Sequence, residues 1–172
     1  MGKATKRYSS GMYGGKFFPF HTGHLMCINH AAAMCDKLYV ILFVNGEYER
    51  QVNRDNIDFD IDEYLTIGRR YNLLVYTAMK FDNVVPLMID VAKCTNPDGT
   101  EDWDAETPKV IDCCGRFDAV FSSEPSYDEY FKRAYPWADH VLIDPPRKIV
   151  PISATMIRNM NLNKAKEWII NE

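Results

Sequence analysis

The segment Lys37-Leu-Tyr-Val-Ile-Leu-Phe-Val44, closed by Asn45-Gly46, most constrains what this chain can become. Its apolar residues follow one another without the polar alternation of a half-wetted strand. A strand of that kind must be covered on both faces, as in a parallel sheet sandwiched by helices, and Asn-Gly marks its end.

The flanking segments supply the layers. Ser10 to Gly14 reads as a first strand, and Thr22 to Cys35 as a helix with Leu25, Ile28, Ala32 and Cys35 on one stripe. A helix is expected from Tyr64 to Met79 and a strand from Val84 to Val91. Cys94 to Asp104, with Pro97, Asp98 and Gly99, reads as loop, followed by a short helix from Thr107 to Cys114. Ala119-Val-Phe121 and His140-Val-Leu-Ile143 read as further strands with a helix over Asp128 to Ala134 between them. Two closing helices are expected, one after Ile152 and one from Lys164 to Ile170. Strands alternating with helices build βαβ units. The expected fold is therefore α/β, a Rossmann-like parallel five-stranded sheet flanked by helices, with residues 1–172 as one domain. In such sheets a ligand sits beyond the carboxyl ends of the strands.

The net charge of −4 argues against a nucleic-acid partner, which would call for a dense basic surface. No segment reaches the roughly 20 apolar residues of a membrane span, and Met1 to Ser10 lacks the apolar stretch of a secretion signal. Lys6 stands where a myristoylation pattern needs Ser or Thr. The cysteines Cys27, Cys35, Cys94, Cys113 and Cys114 are odd in number and lack ligand spacing, so reduced thiols and a cytoplasmic setting are expected.

Two segments carry the chemistry. In Gly14-Gly-Lys-Phe-Phe-Pro-Phe-His-Thr-Gly-His24 the first strand hands over to the first helix. His21 and His24, three residues apart, can face one ligand. Gly23 between them lets a phosphate come close to the backbone, and the helix start offers free N–H groups and a positive dipole end. Gly14 and Gly15 permit a tight turn, and Lys16 adds a point charge. Helix-cap histidines are the plain alternative. A zinc site on His21, His24, Cys27 and His30 is disfavoured, because steps of three residues wind the ligands around the helix. A P-loop is excluded by the spacing and by Phe17 after Lys16.

The second segment is Pro151-Ile-Ser-Ala-Thr-Met-Ile-Arg158. Ser153 suits a helix N-cap, and Thr155 and Arg158 follow within reach of the same helix start. Hydroxyls, free N–H groups and a guanidinium there would form a second phosphate cradle. Taken alone the segment reads equally well as an ordinary capped helix.

Together the two segments resemble the HxGH and ISxTxxR signatures of the nucleotidyltransferase superfamily. Gly15-Lys-Phe-Phe-Pro-Phe-His-Thr-Gly-His24 is similar to the nicotinamide-mononucleotide adenylyltransferases, especially the adenylyltransferase module of bifunctional enzymes that also phosphorylate nicotinamide riboside. The resemblance continues through Phe121-Ser-Ser-Glu124 and Leu142-Ile-Asp-Pro-Pro-Arg147. It implies a nucleotidyltransferase-type fold and adenylyl transfer from ATP to nicotinamide mononucleotide, with Mg²⁺, yielding NAD and pyrophosphate. No kinase segment follows Glu172, so only the adenylyl-transfer activity is expected.

By position, the resemblance gives His21 and His24 to the triphosphate, Lys16 to the β- and γ-oxygens, and Ser153, Thr155 and Arg158 to the departing pyrophosphate. Gly15, Phe17 and Gly23 would complete the ATP site. Ser122 and Glu124 would line an adenine pocket, with a helix-start role as the alternative. Trp103 resembles the tryptophan that stacks on the nicotinamide ring, with a core plug as its alternative. Arg69 and Arg70 are expected near the mononucleotide phosphate, or on a solvated helix face. No residue is assigned to the metal, and Asp55 to Glu63 has no assigned role. A homo-oligomer is compatible with the resemblance. Two other readings stay open: transfer to another phosphorylated acceptor such as phosphopantetheine, and a nucleotide-sensing module without turnover.

Overall fold

The apolar run forms β2 (Cys35–Val44), and its burial pattern explains why it had to be continuous. Leu38, Val40 and Leu42 pack into one core while Ile41 packs into another, and all four are fully buried. β2 lies between β1 (Tyr8–Gly15) and β3 (Val84–Asp90), with Gly15 opposite Leu42 and Val44 opposite Asp90. β4 (Ala119–Ser122) flanks the other side of β1, and β5 (Asp139–Leu142) closes the edge. All pairings are parallel and the order is β3-β2-β1-β4-β5, the expected five-stranded sheet. The computed structural model describes residues 5–54 and 64–171. The acidic stretch Asp55 to Glu63 lies outside them.

One face of the sheet carries α1 (Thr22–Met34) and α3 (Ile67–Ala78), where Cys27, Ile28, Leu73 and Leu74 pack on Tyr13, Leu38 and Phe121. The other carries α4 (Trp103–Cys114) and α5 (Asp128–Ala134), where Val110 and Cys114 meet Met12, Ile41 and Tyr135. A third cluster, including Phe18, Ile152, Ile157 and Ile169, ties α6 (Ala154–Arg158) and α7 (Leu162–Ala165) to the loop after β1. That loop is also stitched to the end of the chain: Thr22 N–H donates to the Trp168 carbonyl at 2.9 Å and Ile170 N–H to the Phe20 carbonyl at 3.0 Å.

The structure departs from expectation in three places. The polar, acid-fronted segment Gly46–Arg54 forms α2, whose apolar side is reduced to Tyr48 and Val52 and is too short to announce it. α4 begins at Trp103 rather than Thr107, because Asp102 caps it by accepting the Ala105 N–H at 3.1 Å, and Pro108 is absorbed within it. The final helix is a short piece, Leu162–Ala165, capped by Asn161, rather than 164–170. The described helices include none long and apolar enough to cross a membrane.

Candidate active site

In this strand order the chain runs outward from β1 to β3 and then returns to place β4 on β1's other side. The crevice at that switch point lies beyond the carboxyl ends of β1 and β4, where open α/β sheets hold ligands. Two adjoining hollows of about 360 and 260 Å³ occupy it, sharing Gly14, Gly15, His24, Ser122 and Thr155.

His21 and His24 are locked to each other at the start of α1. Gly23 N–H donates to Nδ1 of His21 at 3.0 Å, and His21 N–H donates to Nδ1 of His24 at 3.2 Å. This reciprocal arrangement is a capping box built from two imidazoles, their ring centroids 3.7 Å apart. A nitrogen that accepts an N–H carries no proton, so each neutral ring holds its hydrogen on Nε2. Burial and the nearby Arg147 guanidinium lower His21 to about 4, and burial, His21 and Arg147 drive His24 well below the usual imidazole range. Both rings are therefore neutral Nε2–H donors at pH 7. Gly23 has a role the sequence concealed, since a Cβ there would lie 2.8 Å from Cε1 of His21. Its bare backbone makes room for the ring that caps the helix. The N–H groups of His21, Thr22 and Gly23 are already bonded, so imidazoles replace several of the backbone donors expected at this helix start.

Phe17 and Phe20 hold the His24 ring in place. Phe17 meets it edge-on at 4.8 Å and Phe20 stacks along it at 5.7 Å. Phe17, buried at a positive φ of 47°, lines the larger hollow beside Gly15. Across the crevice, Ser153 caps α6 by accepting the Met156 N–H at 3.2 Å. Arg158 Nη1 donates to the Phe18 carbonyl at 2.5 Å and Nη2 to Thr155 Oγ1 at 3.3 Å. The two segments that stand far apart in sequence thus meet, with Thr155 on both hollows, Ser153 on the smaller and Arg158 on the larger.

The larger hollow ends against aromatic rings. Trp103 packs at 5.1 Å from Tyr127 and 5.3 Å from Tyr130, and its Nε1–H donates to Glu101 at 3.0 Å. Lys16 pairs with Glu101 and sits 3.9 Å from the Tyr48 ring centroid, so its charge is held on the wall of the larger hollow. At the end of β4, the Asp128 carboxylate lies 3.1 Å from Nδ1 of His140 and fixes its proton there. Nε2 of His140 then accepts the Ser122 hydroxyl at 2.7 Å, and Glu124 N–H donates to the same oxygen at 3.3 Å. Ser122 therefore offers its free lone pair, not its hydrogen, to the crevice.

Arg69 and Arg70 do not join this site. Arg69 bonds Asn171 at 3.3 Å, and Arg70 is fully buried behind the loop after β1. Neither lines a hollow. The reverse omission is Arg147, which faces the smaller hollow, pairs with Glu124 and donates to the Ile152 carbonyl at 3.1 Å. Its place just past β5 was the available signal, by the same rule that directs attention to strand ends. Glu106, buried and lining the larger hollow, was also missed, because its helix was expected to start one residue after it.

A parallel sheet in this order, with a histidine pair capping its first helix and a serine-capped helix facing it, defines a nucleotidyltransferase-like α/β fold. Residues 12–160 match the cytidylyltransferase-like family, and the chain belongs to it. It is 27% identical over 164 residues to the trifunctional NAD biosynthesis/regulator protein NadR of Escherichia coli (strain K12), a match covering 92% of this chain and 37% of that protein. Among solved structures, NadR in complex with NAD and AMP-PNP superposes with a TM-score of 0.66 at 19% identity, over 94% of this chain and 44% of that one. A bifunctional NMN adenylyltransferase/ADP ribose pyrophosphatase from Francisella tularensis gives 0.60 at 19% identity, over 88% and 41%. These likenesses establish the fold, and the chain spans less than half the length of each of these relatives.

Proposed function

We propose that this chain, acting as one nucleotidyltransferase domain in a cytoplasmic setting, transfers the adenylyl group of ATP to nicotinamide mononucleotide, giving NAD and pyrophosphate. The observation that carries this reading is the locked histidine pair, which offers two neutral Nε2–H donors beside a second helix start bearing Ser153 and Thr155. Neutral donors suit an anion whose charge grows during reaction, because they strengthen with that charge without first giving up a proton. The acceptor phosphate is already ionised at neutral pH, so no general base is required. Its oxygen attacks the α-phosphorus in line, the bond to the bridging oxygen breaks, and pyrophosphate departs with the electron pair.

In this reading His24 faces the α-phosphate, with Lys16 and Arg147 supplying positive charge on either side. Ser153, Thr155 and Arg158 receive the pyrophosphate, and Trp103 stacks on the pyridinium ring at the aromatic end. The named activities of the relatives, NAD biosynthesis and NMN adenylyl transfer, support this choice of acceptor. The described residues include no group of three or more His, Cys, Asp or Glu placed to hold a metal ion. In this reading Mg²⁺ arrives on the ATP phosphates as part of the co-substrate. The five free thiols match a reducing compartment.

Pyrophosphate release from Mg-ATP with nicotinamide mononucleotide, nicotinate mononucleotide, phosphopantetheine and glycerol phosphate tests the proposal. A dinucleotide product with a pyridine acceptor is expected. Release only with another acceptor would overturn the acceptor assignment, and ATP binding without any release would overturn the activity.

A further inference from the structure

Glu106 lines the larger hollow, and the adenylyl-transfer scheme leaves it unused. It is 8% exposed and makes no hydrogen bond among the described residues. A carboxylate enclosed to that degree without a donor is unusual, since burying charge is costly unless a partner compensates. Geometry indicates where the partner belongs. Trp103 and Glu106 stand three residues apart on the first turns of α4, so the ring and the carboxyl project from the same helix face into the same space.

We infer that Glu106 is a specificity residue that selects a carboxamide-bearing pyridine mononucleotide over its carboxylate counterpart. The inference rests on the function proposed above. A pyridinium ring lying on Trp103 would carry its 3-substituent toward the Glu106 carboxyl. A carboxamide offers two N–H donors there and satisfies the buried acceptor. A carboxylate would set one anion against another in an enclosed space, where repulsion is poorly screened. The positive ring itself is favoured by the same charge.

The surroundings of Glu106 determine how sharp the selection is. Burial, followed by repulsion from Glu101, lifts its carboxyl to about 7, with Asp102 acting in the same direction. Lys16, from the loop after β1, and Lys109, on its own helix, oppose that rise. Tyr130 and Tyr135 face it from the α5 side, neutral at this pH and both raised chiefly by burial. Below pH 7 the protonated carboxyl can donate to a carboxylate substituent, so the acid substrate is tolerated. Above pH 7 the ionised form repels it and accepts the amide. Selectivity for the amide therefore rises with pH.

The test compares kcat/KM for nicotinamide and nicotinate mononucleotide, from pH 6 to 8.5, in the native protein and in Glu106→Gln. The amide should be favoured by about tenfold or more at pH 8, with the ratio narrowing toward pH 6. In Glu106→Gln, whose side chain can both accept and donate, the ratio should fall to within about threefold at every pH, chiefly by gain of the acid substrate. A ratio unchanged by the substitution, or a native preference for the acid, would overturn this inference and leave the adenylyl-transfer reading standing. Absence of pyrophosphate with either acceptor would overturn that reading and this inference together. A purely structural role for Glu106 would lower both activities alike and leave both the ratio and its pH dependence in place.

Discussion

Nη2 of Arg70 lies 2.7 Å from Oε2 of Glu49, and both side chains are shut away from water. The same guanidinium donates through Nη1 to the Lys16 carbonyl at 2.7 Å and through Nε to the Leu65 carbonyl at 3.0 Å. It thus joins α2, α3 and the loop that carries Lys16 and the histidines. Removing one member of a buried ion pair typically costs about 3–5 kcal/mol, because the other charge is stranded. Arg70→Met is expected to lose stability on that scale in urea unfolding. Arg70→Lys should not rescue it, since one ammonium cannot serve acceptors spread over a planar fork. A change below about 1 kcal/mol would show that the pair holds nothing together.

His24→Ala should lower kcat by roughly 10²–10³-fold while changing ATP affinity much less, as when one oxyanion-directed donor is removed. Single-turnover rates alongside equilibrium ATP binding separate the two. Equal losses in both would assign His24 to ground-state binding instead.

Acid should weaken the fold through His21. His21 stands near 4 in the folded chain against about 6.5 when unfolded, so between those values only the unfolded chain takes up the proton. The His21 contribution is therefore complete above pH 6.5 and declines as pH falls from there toward 4, by up to roughly 1.4 kcal/mol per pH unit. His21→Asn keeps a side-chain acceptor for the Gly23 N–H but has nothing to titrate. Unfolding free energies at pH 7, 6 and 5 should fall less steeply in that variant, and parallel slopes would contradict the assignment.

Trp103→Ala should raise KM for the pyridine mononucleotide about 10- to 100-fold, the range expected for one base-stacking platform, and leave ATP binding nearly unchanged. Trp103→Phe keeps a ring and loses only the bond to Glu101, so it should fall between. Steady-state kinetics with each substrate varied in turn checks both. An effect on ATP alone would move the ring-binding end elsewhere.

What could be read in advance follows from what each residue depends on. β2 was legible because full burial on two faces leaves a continuous apolar run, and His21, His24, Ser153 and Arg158 because their chemistry is concentrated in short segments. Arg70 was misjudged because a helix-borne arginine looks the same in sequence whether it meets a ligand or a buried glutamate. α2 was missed because Tyr48 and Val52 are its whole apolar side, a signal too short to stand out among Glu47, Glu49 and Arg50. Glu106 depended on the helix start set by Asp102, and an error of four residues there moved it from a helix face into a loop. The role of Gly23 was invisible, since it answers to a side chain folded back on its own backbone rather than to the phosphate a bare glycine suggests.

The stitching of residues 168–170 to residues 20–22 has a consequence for how the protein is made. Ribosomes deliver the amino end first, and the last strand of the sheet ends at Leu142, well before Trp168, so the sheet has what it needs while its histidine loop still lacks two backbone partners. A growing chain can acquire its sheet first and its reactive geometry only once residues 168–170 have followed. Nucleotide binding would then report on whether residues 168–170 have closed against the histidine loop rather than on the bulk of the fold.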